Sequence, residues 1–213
     1  MSEVDLVIRG GTVVDGSGGA PVKADVAIDK GLIVAVGKVD AKGREEVDAT
    51  GLLVTPGWVD IHTHYDGQVT WDERMTPSSI HGATTVVMGN CGVGFAPVRK
   101  TDHDRLIRLM EGVEDIPGAA LHEGLSWQWE SFGDYLDAVE AKRRDIDVAI
   151  QVPHGAVRVY VMGERGAKRE PATDAEVAEM RDIVRDAIRA GAIGFSTSRT
   201  VAHRTSDGDL TPT

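Results

Sequence analysis

The chain has 213 residues, of which 41% are hydrophobic and 27% are charged, a balance typical of a folded protein with a buried core. Its net charge of −11 would repel a phosphate backbone, so we expect no nucleic-acid partner. The single cysteine excludes an internal disulfide and favours a reducing, cytoplasmic compartment. The sequence shows neither a secretory signal nor the ~20 consecutive apolar residues of a membrane helix, so we expect no membrane partner.

Short segments rich in Val and Ile dominate residues 1–57. Turn signals containing Gly, Asp and Pro separate them, and none has helical periodicity. This pattern predicts a small antiparallel sheet that forms about half of a β-sandwich. The segments in chain order are VDLVIRG, GTVVDG, ADVAID and LIVAVG.

Strand and helix patterns alternate over residues 58–213. Apolar residues at helical spacing predict helices within residues 101–113, 131–144 and 173–191, and a further helix is predicted to begin at Thr76 and Pro77. This alternation predicts an α/β fold with a parallel sheet, and the unit lengths predict about the first half of a (β/α)8 TIM-type barrel. The predicted strands are WVDIHTH, TTVVMGNCG, DVAIQVPHG and AIGFSTS.

Candidate metal ligands lie where the predicted strands end. His62 and His64 end the first strand, and Cys91 follows the second. Active sites of parallel barrels form at the carboxyl ends of the strands, so we expect these side chains on one rim. Imidazole nitrogens and a thiolate are ligands that zinc prefers, so the three residues form the predicted metal site. The alternative is a polar edge strand beside a cysteine that acts as a small buried hydrophobe.

Weaker candidates for substrate contact follow the third and fourth predicted strands. His154 ends the third, and Ser198 and Arg199 follow the fourth. Arg199, with His203 and Arg204, would suit an anionic substrate, although a solvated loop is the alternative interpretation. Three other histidines lie away from this rim and are predicted to be surface residues: His81, His103 and His122.

Two segments resemble a known family. VTPGWVDIHTH resembles the opening of the barrel in the amidohydrolase superfamily of metal-dependent hydrolases, and TPSSIHGATTVVMGNCGVGFAP is similar to its D-aminoacylase branch, the N-acyl-D-amino-acid deacylases. The resemblance extends over residues 4–200. It implies zinc-dependent hydrolysis of linear amide C–N bonds by a metal-activated water, with one or two Zn²⁺ ions. The implied partner is a small-molecule N-acyl-D-amino acid or a related amide.

The resemblance also implies which metal ligands this chain carries. His62 and His64 correspond to the His-x-His pair of the first strand. In this branch a cysteine replaces the carboxylated lysine that many members carry on the fourth strand, and Cys91 matches that cysteine. The general acid–base aspartate and the other ligands of the branch are expected beyond Thr213. We therefore expect 1–57 to be part of a β-sandwich and 58–213 to be the first half of the barrel.

Other interpretations stay open on the sequence alone. A cyclic amidohydrolase of the hydantoinase or dihydroorotase kind is disfavoured because the fourth strand contains no lysine. A non-catalytic amidohydrolase-like scaffold or an inactive fragment is the alternative from another class. The segment STSRTVAHR departs from the branch motif, which leaves the substrate side chain and acyl group undetermined. A monomer and a homo-oligomer are equally compatible with the sequence.

Overall fold

The computed structural model describes residues 3–212 of the chain. They fall into two units that divide between Gly57 and Trp58. The predicted mixed α/β architecture is confirmed, because one unit holds strands alone and the other alternates strands with helices. Within the described residues, no helix is both long and apolar enough to cross a bilayer.

The first unit is a five-stranded sheet in which β1 pairs on both sides. β1 pairs antiparallel with β2, which pairs antiparallel with β3, whereas β4 and β5 pair in parallel with the other edge of β1. The prediction of an antiparallel sheet is therefore wrong, because the sheet is mixed. The strands are β1 (Glu3–Val13), β2 (Val22–Asp29), β3 (Leu32–Gly37), β4 (Lys42–Asp48) and β5 (Leu53–Val54).

The chain path after β3 explains the mixed sheet. Val39 in this connection is buried with Val7 and Ala27, as expected for a segment that crosses one face of the sheet. The crossing delivers β4 to the free edge of β1 in the parallel direction.

The two strands predicted at the N-terminus form one continuous strand. Gly10, at φ +67°, lies within a register shift between Ile8 and Gly11, and the pairing with β2 continues beyond it.

The second unit contains a four-stranded parallel sheet in the order β6-β7-β8-β9. Each strand pairs in parallel with the next one along the chain, which is the arrangement predicted for consecutive strand–helix units. Closure of such a sheet into a barrel stays a prediction. The strands are β6 (Trp58–Asp60), β7 (Ala83–Met88), β8 (Asp147–Pro153) and β9 (Gly194–Ser196).

Six helices accompany this sheet in the described residues. Helices are confirmed in all three segments with helical spacing, and Ser131 and Thr173 each begin one of them with a capping box. The helix predicted from Thr76 is wrong, because only the 3-10 turn Ser79–His81 forms before Gly82, at φ +89°, turns the chain into β7. The helices are α1 (His103–Glu114), α2 (Gly118–Gly124), α3 (Phe132–Glu140), α4 (His154–Met162), α5 (Glu164–Ala167) and α6 (Asp174–Ala190).

The core of the second unit lies between the sheet and its helices. Val86 and Met88 of β7 and Val152 of β8 are fully buried in one cluster with residues of α1 and α3. The same core holds the segment after β6, because the buried Tyr135 hydroxyl donates to the backbone oxygen of Asp66 at 2.7 Å. The strand-end side chains therefore project from segments that are anchored in the core.

Candidate metal centre

The two histidines of the predicted site lie directly after β6. Thr63 between them is buried, and its backbone N–H and hydroxyl both donate to the Val87 oxygen, at 3.0 and 2.8 Å. This double anchor turns Thr63 inward and leaves the alternating His62 and His64 on the other side. Their ring centroids are 5.4 Å apart.

The cysteine lies in the tight turn Asn90–Gly92 that follows β7. Cys91 has φ +55°, in the left-handed region that residues with a side chain adopt at a cost of roughly 1 kcal/mol or more. Hydrogen bonds hold the turn in this conformation: the Asn90 amide donates to Val87 O at 2.9 Å, and the Ser196 hydroxyl accepts from the Gly92 N–H at 3.0 Å. The surrounding structure thus fixes where the thiol points.

These three residues form a group that we call the histidine–cysteine cluster. One ligand atom from each of His62, His64 and Cys91 lies within 4.8 Å of the others. The Cys91 sulfur is 3.3 Å from Nε2 of His62. Ligands about 2.0–2.3 Å from a tetrahedral zinc lie roughly 3.3–3.8 Å from one another. The 3.3 Å distance between Cys91 and His62 falls in this range, and the N, N, S donor set suits zinc.

The carboxylate of Glu114, at the end of α1, also reaches this cluster. Its Oε1 lies 3.2 Å from Nε2 of His64. Burial lowers the pKa of His64 to about 4, with smaller contributions from His62 and His203, so the ring is neutral near pH 7. The 3.2 Å contact therefore joins a neutral ring to the carboxyl group and is not an ion pair of two full charges. The other ring nitrogen, Nδ1, is buried with no hydrogen-bond partner within residues 3–212.

The Cys91 thiol of the cluster and two neighbouring carboxyl groups have raised pKa values. Burial raises the pKa of Asp66 to about 7 and that of Glu114 to about 6. Burial also raises the pKa of the Cys91 thiol, and the charges of Glu114 and Asp66 raise it further. Asp66 is 2% exposed, and its Oδ2 has no partner among the described residues. A bound cation would favour the ionised form of all three groups, so the surroundings suit a metal ion.

Asp66 and Glu114 are not among the site residues predicted from the sequence. Asp66 continues the alternation of His62 and His64, and this signal could have identified it. Glu114 reaches His64 through the packing of α1, and no local pattern marks that contact. His203, named only for substrate contact, lies close enough to lower the pKa of His64.

The weaker candidates lie together beside the cluster rather than in it. His154 begins α4 directly after β8, and its Nδ1 is 3.0 Å from the hydroxyl of Thr197. His154, Ser198 and Arg199 line one pocket. Two of the other histidines, His81 and His122, are exposed as predicted. His103 is partly exposed and stacks on Trp127, with ring centroids 3.8 Å apart.

Curated proteins similar to this chain include amino-acid deacylases. The chain is 38% identical over 194 residues to D-aminoacylase and 36% identical over 197 residues to N-acyl-D-aspartate deacylase, both from Alcaligenes xylosoxydans xylosoxydans. These alignments cover 91% and 92% of this chain but 37% of each relative. The chain therefore spans well under half the length of the curated relatives it matches.

Solved structures and a family model agree with these relatives. A D-aminoacylase studied for the functional role of its binuclear metal centre matches with a TM-score of 0.76 and 34% identity, over 96% of this chain and 41% of that one. N-acyl-D-glutamate deacylase from Bordetella bronchiseptica, complexed with zinc and a phosphonate inhibitor, matches with a TM-score of 0.73 and 32% identity, over 92% and 38%. Residues 45–213 match the model of the amidohydrolase family, so this chain belongs to that family, as its sequence motifs predict.

Proposed function

We propose that this chain carries part of the active site of a zinc-dependent amidohydrolase that removes the acyl group from N-acyl-D-amino acids. The main supporting observation is the histidine–cysteine cluster, in which side chains following two neighbouring parallel strands bring their ligand atoms within 4.8 Å. The names of the similar proteins support the substrate class, because they include D-aminoacylase and an N-acyl-D-aspartate deacylase. The zinc complex of the similar glutamate deacylase supports the choice of metal.

Each residue of the cluster has a proposed role. His62, His64 and Cys91 would hold one Zn²⁺, and a second ion stays an open part of the proposal. A bound zinc supplies a Lewis acid that polarises the amide carbonyl and lowers the pKa of a water. Glu114, 3.2 Å from Nε2 of His64, would hold the ring in position, and Nδ1 would then be the ligand atom.

The proposed substrate contacts lie after β8 and β9. His154, Ser198 and Arg199 line the pocket beside the cluster, where they would orient the substrate. We assign the general acid–base role to no described residue, and the aspartate implied by the family resemblance stays a prediction. Completion of the parallel sheet to a (β/α)8 barrel, the assignment of 1–57 to a β-sandwich and a cytoplasmic location belong to the same proposal.

Hydrolysis of N-acetyl-D-methionine by the protein that carries this chain tests the proposal. We expect turnover that a chelator abolishes and added Zn²⁺ restores, with N-acetyl-L-methionine as the stereochemical control. Turnover that survives both the chelator and His62→Ala would contradict the assignment of the metal site. Selective turnover of dihydrouracil or hydantoin would instead favour the cyclic alternative, against which the absence of lysine from β9 already argues.

A further inference from the structure

A basic pocket is formed by residues that follow β8 and β9, the strands that continue the sheet beyond β7. The cavity has a volume of about 420 Å³, and its walls come from the residues after β8, after α5 and after β9. Three arginines and one histidine line it, and none of its described lining residues is Asp or Glu. The chain as a whole has a net charge of −11, so this concentration of positive charge is local. We call it the arginine pocket: His154, Arg158, Arg169 and Arg199.

Within residues 3–212, Arg158 of the arginine pocket forms no ion pair, although the charge of Glu176 reaches it. Arg158 donates to the backbone oxygens of Gly166 and Glu170, so its hydrogen-bond partners are carbonyl groups. The side chains of Glu170 and Glu176 lie nearby, but both are paired with Arg165, at 3.1 and 2.5 Å.

Arg169 and Arg199 have no ion pair within residues 3–212. The charges of Arg158 and Arg199 also reach His154, where they lower its pKa in addition to the effect of burial. Cationic side chains that share one cavity without a carboxylate repel one another, and an anion between them relieves that repulsion. The planar guanidinium fork matches the geometry of a carboxylate.

We propose that the arginine pocket binds a carboxylate group of the substrate, a specificity site that extends the function proposed above and rests on it. Its position supports this role, because the pocket opens after β8 and β9 and the cysteine turn follows β7 in the same sheet. At the end of β9, the Ser196 hydroxyl accepts a hydrogen bond from the Gly92 N–H, which links this strand end to the cysteine turn. The carboxylate is either the α-carboxylate of every N-acyl-amino acid or the side-chain carboxylate of an acidic one.

Arg169→Gln and Arg199→Gln in the protein that carries this chain test the pocket. Arg189→Gln is the matched control, because Arg189 is exposed on α6 and the substitution removes the same charge. Arg158 is left unchanged because it also holds the backbone after α5. We expect each pocket variant to lower kcat/KM by about tenfold or more, the effect of losing a hydrogen bond to a charged group. Arg199→Lys should recover only part of the loss, because it restores the charge without the fork.

Two substrates distinguish the source of the carboxylate. Loss on N-acetyl-D-glutamate alone identifies the side-chain carboxylate, whereas equal loss on N-acetyl-D-glutamine identifies the α-carboxylate. Values equal to those of Arg189→Gln on both substrates would overturn the proposal. If the unmodified protein hydrolyses neither substrate, the proposed function fails, and calorimetric binding of N-acetyl-D-glutamate decides about the pocket. Weaker binding in Arg199→Gln but not in Arg189→Gln supports it, and equal binding overturns it.

Discussion

The carboxyl ends of the strands in the parallel sheet fall into two sides that differ in charge. The ends of β6 and β7 form one side, and the ends of β8 and β9 form the other. After β6 and β7, the histidine–cysteine cluster collects lone-pair donors and is flanked by the acidic Asp66 and Glu114. After β8 and β9, the arginine pocket collects N–H donors and its described lining contains no acid. The first environment suits a cation and the second an anion. A substrate with an amide at one end and a carboxylate at the other matches that order.

The loops and helices that follow each strand produce this difference. α1 returns to the strand ends and brings Glu114 to His64 at 3.2 Å. α4 begins directly after β8 and carries Arg158, and the chain after α5 adds Arg169. The charge at a strand end is therefore determined mainly by the segment that follows it. The proposed metal site and the proposed anion site can therefore share one sheet edge, because different segments follow the strands at each.

The largest effect we expect is the loss of a residue of the histidine–cysteine cluster. His62→Ala, His64→Ala or Cys91→Ala should each weaken zinc binding by roughly 100-fold or more, because a direct ligand is lost. Cys91→Asp should restore part of the binding through an oxygen ligand. Competition with a chromophoric chelator measures the affinity, and His122→Ala, on the exposed face of α2, is the control. Unchanged zinc affinity in the Cys91→Ala variant would identify Cys91 as a packing residue.

The same measurement on the arginine variants sharpens the contrast between the two sides. Arg169→Gln and Arg199→Gln should leave the zinc affinity unchanged, since neither side chain belongs to the metal group.

A smaller effect is expected from Glu114→Gln, which keeps the size of the side chain and removes its charge. Partners that hold a ligand histidine typically contribute 10–100-fold in metal affinity, so zinc binding should weaken by about that factor. Glu123→Gln on the exposed surface of α2 removes the same charge and should have no effect. A zinc affinity equal to that of the control would show that the 3.2 Å contact does not position His64.

Ser196→Ala breaks the connection between the two sides. Its hydroxyl donates to the Gly89 oxygen and accepts from the Gly92 N–H, so alanine leaves a donor and an acceptor of the cysteine turn without this partner. The free energy of unfolding should fall by about 1–3 kcal/mol, and zinc binding should weaken with it. Thr197→Val is the comparison, because it removes the contact to His154 and leaves the turn intact. Equal zinc affinity in both variants would argue against a role for Ser196 in holding Cys91.

Local sequence signals explain which parts of this fold were predictable. Capping boxes at Ser131 and Thr173 and the apolar spacing in α1, α3 and α6 act within a few residues, so they could be read directly. The positions of His62, His64 and Cys91 at strand ends follow from the strand pattern, and the structure brings the three together. Their binding of a metal stays a prediction.

Features that depend on packing or chain path could not be read in this way. β4 is rich in charged residues because it is an exposed strand beside β1, so it lacks the apolar signal of a strand. α4 follows Pro153 without a turn, and its sequence HGAVRVYVM resembles a strand more than a helix. The arginine pocket depends on that helix, and the contact of Glu114 with His64 depends on how α1 packs. The sequence therefore predicted Arg199 and His154 as substrate contacts, but no local pattern indicated that Arg158, Arg169 or Glu114 would join either group.

The smallest effect we expect separates stability from the chemistry of either side. Ser131→Ala and Thr173→Ala remove the capping hydroxyls of α3 and α6, which accept the N–H groups of Asp134 and Glu176. Each should lower the free energy of unfolding by about 1 kcal/mol in urea titrations. Neither cap belongs to the histidine–cysteine cluster or lines the arginine pocket, so zinc affinity and carboxylate binding should not change. If a cap variant weakened zinc binding as much as Glu114→Gln does, general destabilisation would explain both results, and the assigned role of Glu114 would be lost.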